Sequence, residues 1–271
     1  MDPVFGLEGK RILVLGGGQG MGEATVKRIV EQGAHVAIAD LDPDRAEKVA
    51  KAVRESGGTA TAIGVDVLDD AALVGAIANV EANFGPLDGM ATVIGMAGWA
   101  SLLDLELDTW DADQNRNLRY FFVAAREVAR SLLKRGAPGS IVCVASVDGL
   151  RSAPNHAAYG VAKAGLVHLV KSMAVEWSGQ GIRINCVAPG GIITPRLPDR
   201  GPEGERKTME KVPMQRRGTV DEIAKAITFF LSDLSSYVTG QTLAVDGGFM
   251  AANLFNVTLP PKNTVMGAER A

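Results

Sequence analysis

The chain has 271 residues, enough for one large α/β unit whose core needs no covalent staples. Hydrophobic residues make up 46% and charged residues 22%, the profile of a water-soluble globular protein. A net charge of −3, from 28 basic and 31 acidic residues, leaves no basic footprint for nucleic acid or for a membrane surface. The opening MDPVFGLEGKR lacks the apolar core of a signal peptide, and no apolar run approaches the roughly 18 residues of a membrane span, so a cytoplasmic protein is expected. Cys143 and Cys186 lie in apolar runs and read as buried thiols in a reducing compartment, with no disulfide and no metal site.

Short apolar runs alternate with longer segments of helical period. ILVLG (12–16) precedes a helix over 20–32, HVAIAD (35–40) one over 43–56, and TAIGVD (61–66) one over 69–84. LDGMATVIG (87–95) leads into a long helix over 109–134, and SIVCVAS (140–146) into one over 157–178. IRINCVAP (182–189) is followed by a polar loop and a helix over 220–231, and TLAVD (242–246) closes the series. Seven strands and six helices in alternation predict a doubly wound, Rossmann-type parallel sheet with helices on both faces, in a single domain over 1–271. The strands are near-continuously apolar, as burial on both faces requires. Residues 195–218, rich in Pro, Gly and charge, read as a mobile substrate loop, and 249–271 as a C-terminal tail without helical period.

The glycines of LVLGGGQGMGEATV (13–26) fall between the first strand and the first helix. Gly16, Gly20 and Gly22 let the backbone approach a phosphate, and the free amides of the helix start then face a pyrophosphate. Asp40 ends the second strand, where a carboxylate accepts hydrogen bonds from both hydroxyls of an adenosine ribose and repels a 2′-phosphate. Gln19 is not the cation that a 2′-phosphate needs, and Arg45 reads as solvated, so NAD is favoured over NADP. Asp40 also has a plainer reading as a loop or capping residue, a part that Asp42 can play instead. Asp66 ends the third strand, either as a turn residue or within reach of the adenine amino group.

Tyr159, one of only three tyrosines, is followed four residues later by Lys163. On a helix the two share a face, within about 6 Å. An ammonium at about 4 Å favours the phenolate by roughly three pKa units, which brings a phenol towards neutrality and makes it a general acid–base. Ser146, at the end of the fifth strand, is placed to hold a substrate oxygen, because ligands of open parallel sheets bind beyond the strands' carboxyl ends. Asn117 lies in the long helix before the fifth strand, with Asn115 as its rival.

Taken in order, GGGQGMG (16–22), Asp40, Asp66, Ala97-Gly98, Asn117, Ser146, YGVAK (159–163), RINCVAPGGIITP (183–195) and TGQTLAVDGG (239–248) resemble the compact short-chain dehydrogenase/reductase superfamily over roughly residues 8–250. The resemblance implies that Tyr159 is the general acid–base and that Lys163 binds the nicotinamide ribose and lowers the phenol's pKa. It implies that Ser146 orients the substrate oxygen and Asn117 holds a water. It places Gly16, Gln19, Gly20, Met21 and Gly22 on the cofactor phosphates, and Asp40, Leu41, Asp66 and Val67 on the adenosine. Gly98, Pro189, Gly190, Ile192 and Thr194 then line the nicotinamide side, with Thr194 on the carboxamide. Two positions depart from the pattern: Leu15 stands where threonine is usual, and Gly95-Met96 where two asparagines are usual, which opens space beside the adenosine ribose.

The implied reaction is hydride transfer between NAD and a secondary alcohol or ketone. The substrate wall is expected from Trp99, Leu102, Leu103, Val147, Leu150, Pro154, Leu197 and Met214, with Asp148, Asn155 and His156 as polar exceptions. That composition points to a hydrophobic substrate such as a steroid, terpenoid or cyclic alcohol. His156 itself reads as a loop residue of the pocket rather than a catalyst. An NAD-recycling epimerase or dehydratase and a non-catalytic dinucleotide-binding regulator are the alternatives. The long helices over 109–134 and 157–178 carry apolar residues on more than one face, which suggests a homo-oligomer, a dimer or, as the resemblance implies, a tetramer.

Overall fold

The computed structural model describes residues 3–252. Strands β1 (Arg11–Leu15), β2 (His35–Asp40), β3 (Ala60–Gly64), β4 (Gly89–Thr92), β5 (Gly139–Val144), β6 (Ile182–Pro189) and β7 (Thr242–Val245) form one sheet in the order β3-β2-β1-β4-β5-β6-β7. Every pairing is parallel, as the alternating pattern predicts. The chain winds outward from β1 to β3 and then crosses back to β4, so β1 and β4 are neighbours with connections leaving in opposite directions. In open parallel sheets that reversal is the point beyond whose carboxyl ends ligands bind.

Alternate residues of each strand feed two cores. Leu13, Leu15, Ile141 and Cys143 face one, under α3 (Asp70–Asn83), α5 (Tyr120–Arg135) and α6 (Ala157–Trp177). Ile12, Val14, Val142 and Val144 face the other, under α1 (Gly20–Glu31), α2 (Pro43–Glu55) and α8 (Val220–Leu231). Burial on both faces is why the strand centres are mostly apolar, and why a buried polar residue such as Asn185 or Ser140 has a hydrogen-bond partner. Cys143 and Cys186 are register partners on β5 and β6, both buried and both free.

Side-chain caps set three of the described α-helix starts. Asp42 caps α2 by accepting from the amides of Asp44 and Arg45, and Asp69 caps α3 through Ala72. Thr219 and Glu222 form a reciprocal capping box on α8. The start of α1 has no side-chain cap.

Two stretches differ from the expected pattern. The helix expected over 109–134 begins earlier, as α4 (Leu107–Gln114), and passes through a π-helical turn, Asn115–Arg119, before α5. Such a wide turn has no residue signature and is common at functional sites. Residues 195–218 are not loop throughout, because α7 (Gly201–Met209) lies inside them. Their ends are tied together: Ile193 donates to the carbonyl of Gly218, and Gly218 to that of Gly191. Arg217 is almost buried; it pairs with Glu205 and donates to the carbonyls of Leu197 and Pro198. Of the expected tail, residues 249–252 are described, and the remainder lies outside the described residues. Phe249 lies under the Arg151 guanidinium, 3.7 Å from carbon to ring centre. No described helix is long and apolar enough to cross a membrane.

Candidate active site

The glycine turn joins β1 to α1. A Cβ on Gly22 would sit 1.9 Å from the Gly16 carbonyl oxygen, so only glycine lets the helix start fold back onto the turn. With no side chain capping α1, its first amides remain available to an anion, and the turn fits a pyrophosphate. Gly22→Ala is expected to lower the melting temperature and to abolish dinucleotide binding; thermal unfolding and cofactor titration of the variant check both. Asp40 is buried at the end of β2. It accepts from the Gly18 amide at 3.0 Å and the Asp42 amide at 3.1 Å. It also pairs with Arg45 Nη2 at 2.7 Å, so Arg45 is not the solvated side chain that the sequence suggests. Leu41 and Asp66 are exposed beyond the strand ends, with Asp66 turned onto the Leu68 amide. A groove of about 1000 Å³ between α1 and α2 shares Gly18, Gln19 and Arg45 with this end but reaches none of Asn117, Ser146, Tyr159 or Lys163.

Those four residues gather at the carboxyl ends of β4 and β5. Lys163, fully buried, donates to the Ile94 carbonyl at 3.2 Å and to the Val144 carbonyl at 3.0 Å, and so bridges the two strand exits. Its Nζ lies 5.6 Å from the centre of the Tyr159 ring, one turn earlier on α6. The Ser146 hydroxyl hydrogen-bonds the phenol and accepts from the Asp148 amide at 3.1 Å. Asn117, buried in the π-helical turn, clamps the β4 exit: Nδ2 donates to the Met96 carbonyl at 2.8 Å and Oδ1 accepts from the Met96 amide at 3.3 Å. Asn115 has no such contact among the hydrogen bonds described.

A family model described as enoyl-(acyl carrier protein) reductase matches residues 16–250, most of the chain. The chain belongs to the short-chain dehydrogenase/reductase superfamily. It is 36% identical over 251 residues to 2-(S)-hydroxypropyl-CoM dehydrogenase 3 of Xanthobacter autotrophicus, a match covering 90% of this chain and 98% of the relative. It is 40% identical over 228 residues to the inactive 2-(S)-hydroxypropyl-CoM dehydrogenase 2 of the same organism, covering 82% of this chain and 97% of the relative. A gluconate 5-dehydrogenase from Burkholderia cenocepacia, solved with NADP and tartrate, superposes with a TM-score of 0.86 at 34% identity, over 91% of this chain and 97% of that one.

The superfamily's usual threonine is replaced by Leu15, which is buried in the core and passes its carbonyl to the Val93 amide at 2.8 Å. Gly95 lies just past β4, beside Lys163 and Asn117. A Cβ there would lie 3.1 Å from Lys163 Nζ and 3.2 Å from Asn117 Oδ1, so glycine leaves room beside the ammonium.

The short-chain dehydrogenase lysine does not bring the phenol towards neutrality. Burial pushes Tyr159 up to about 12; the Ser146 hydrogen bond opposes this, while Asp148 and Asp113 reinforce it. Burial also pulls Lys163 down to about 8. The spacing on α6 is as expected, but both groups are desolvated, and Lys163 is not among the groups that shift the phenol. Asp113 is a residue that sequence reasoning missed. It is buried in α4 and accepts from the Gly98 amide at 3.1 Å, and no motif marks it.

Around the phenol the structure collects Trp99, His156 and Asp148. Val147 is buried in a 3₁₀ turn rather than lining a wall. Leu102, Leu103, Leu197 and Met214 are exposed, and Leu197 is held by paired hydrogen bonds to Thr194. Pro189 and Ile192 are buried where β6 enters this segment, beside Gly190 and Thr194.

Proposed function

We propose that the chain is an NAD-preferring dehydrogenase/reductase acting on a secondary alcohol or its ketone, with a largely apolar substrate. The carrying observation is the Lys163 ammonium bridging the exits of β4 and β5 beside the Tyr159 phenol and Ser146, with the uncapped start of α1 following the neighbouring strand β1. The turn at Gly16, Gly20 and Gly22 receives the pyrophosphate, with Gln19 and Met21 alongside. Asp40, Leu41, Asp66 and Val67 border the adenosine, and Gly98, Pro189, Gly190, Ile192 and Thr194 the nicotinamide. When bound, the dinucleotide supplies the hydride acceptor for oxidation and the donor for reduction. Ser146 and Tyr159 hold the substrate oxygen, and Tyr159 takes the hydroxyl proton on oxidation and returns it on reduction. Residues 195–218, with α7 inside them, close over the substrate as a mobile segment.

Asp40 favours NAD because its carboxylate repels a 2′-phosphate, and Arg45 neutralises part of that charge. Asp40→Ala is expected to free Arg45 and raise NADP affinity about tenfold or more, while Arg45→Ala sharpens the preference for NAD. Titration of both cofactors against the three proteins checks this, and a wild type that already prefers NADP would refute it.

Formation of reduced cofactor with a panel of secondary alcohols tests the main reading. A protein that binds NAD without turnover is the second reading, favoured by the resemblance to a relative named as inactive. Binding without chemistry across the panel would establish it. A cytoplasmic homo-oligomer completes the proposal. Exposed Leu103, Leu107, Phe122 and Val175 are the apolar surface it would cover, and sizing by light scattering tests it.

A further inference from the structure

The side chain of His156 is held on one side and left with an unmet demand on the other. Its Nδ1 lies 2.7 Å from Asp148 Oδ2. A carboxylate only accepts, so Nδ1 carries the proton, and in that tautomer Nε2 is an acceptor. That Nε2 is shielded from solvent and has no hydrogen-bond partner among the described residues. A buried polar atom without a partner is costly and calls for a partner that the described side chains do not supply.

Its surroundings say where that group enters. The imidazole stands between the Trp99 ring, 3.6 Å away between centres, and the Tyr159 ring, 5.4 Å away. Trp99 is 71% exposed, so one indole separates the imidazole from solvent. The strap carrying it is pinned by the Ala100 amide, which donates to the Asn155 carbonyl at 3.1 Å. Asn155 adopts a left-handed φ of 61°, which turns the chain into α6 and sets His156 three residues ahead of Tyr159. Asp148 is tied in turn to the site, because its amide donates to the Ser146 hydroxyl that meets the phenol.

We propose that His156, oriented by Asp148, is a specificity-determining residue whose Nε2 accepts a hydrogen bond from a second hydroxyl on the substrate, one or two carbons from the carbon that exchanges hydride. The inference rests on the dehydrogenase reading of the same cleft. It narrows the substrate to a diol or hydroxyketone with an apolar body that lies against Trp99. Asp148 is a positioning residue that fixes the tautomer.

The test compares cyclohexanol with cis- and trans-1,2-cyclohexanediol, with NAD, in wild type, His156→Leu, His156→Gln and Asp148→Asn. Wild type is expected to prefer a diol in kcat/KM. The diol-to-monoalcohol ratio is expected to fall about tenfold or more in His156→Leu and to recover partly in His156→Gln, which restores an acceptor. Asp148→Asn is expected to collapse the ratio as well, because an amide can donate to Nδ1 and so reverse the tautomer. The second readout is independent of turnover: the ¹⁵N resonance of His156 Nε2 in the labelled wild-type protein, assigned by its absence from His156→Gln, shifts with a diol and not with cyclohexanol. Turnover of both substrates with an unchanged ratio and no shift overturns the proposal and leaves the dehydrogenase standing. A diol-specific shift without turnover supports the subsite and sinks the dehydrogenase reading. No shift and no turnover overturn both.

Discussion

Tyr159→Phe is expected to bind the dinucleotide as wild type does and to lose turnover by about a hundred- to ten-thousand-fold, the span of a positioned proton donor. The variant keeps the ring packed near His156 and Lys163, so folding and cofactor affinity are preserved and the loss falls on kcat. The protein's own groups also set the pH dependence. With the phenol held up at about 12 by burial and by Asp148 and Asp113, Tyr159 is protonated at neutral pH and ready to donate. Ketone reduction is therefore expected to be flat through the neutral range, whereas alcohol oxidation, which needs the phenolate, climbs with pH. Removing a negative charge near the phenol stabilises the phenolate. Asp113→Asn, which retains an acceptor for the Gly98 amide, should thus move the oxidation profile to lower pH. An unchanged kcat in Tyr159→Phe would remove the phenol from the chemistry. A profile unmoved in Asp113→Asn would remove that carboxylate's influence on it.

What the sequence discloses about this protein follows from how local each feature is. Strands such as Arg11–Leu15 are legible because burial on both faces demands an unbroken apolar run. The Tyr159–Lys163 spacing is legible because helical geometry alone puts both on one face. Features made by distant partners are not. The pairing of Arg45 with Asp40 depends on the path of the turn between β2 and α2. The phenol's rise depends on burial, which i, i+4 spacing does not encode. Gly201–Met209 forms a helix from a segment with two glycines, a proline and few apolar residues, so no periodic stripe announces it. The contact of Trp99 with His156, which Asp148 holds from the same β5–α6 loop, joins two loops that only the folded sheet brings together.

Lys163 should leave a signature in stability as well as in turnover. In the folded protein burial holds its pKa at about 8, against 10.5 for an exposed lysine. Between those values the unfolded chain keeps a proton that the folded chain has shed, so the free energy of unfolding rises with pH, by up to about 1.4 kcal/mol per unit. Across the window that amounts to about 3 kcal/mol. Below it both states carry the charge, and the folded protein bears the full cost of burying it. Lys163→Met is expected to lose both the rise and the turnover. Other groups titrate nearby: burial pushes the Cys143 thiol up, its hydrogen bond pulls Cys186 down, and burial raises Tyr120 and Tyr159. All of these remain in the variant, and Lys163 itself lowers both thiols, so the difference between the two urea-unfolding curves, from about pH 7 to about pH 10, reports the lysine together with its coupling to Cys143 and Cys186. Methionine leaves the Ile94 and Val144 carbonyls without their donor, at roughly 1–3 kcal/mol each, which offsets the relief of the buried charge at neutral pH. Near-equal stability at pH 7 and a growing wild-type advantage above about pH 8 is therefore the expected pattern. Parallel curves would mean that the ammonium is not desolvated as described. An ammonium that costs stability at neutral pH and still sits across the exits of β4 and β5 is what a fold retains when the charge serves the cleft rather than the core.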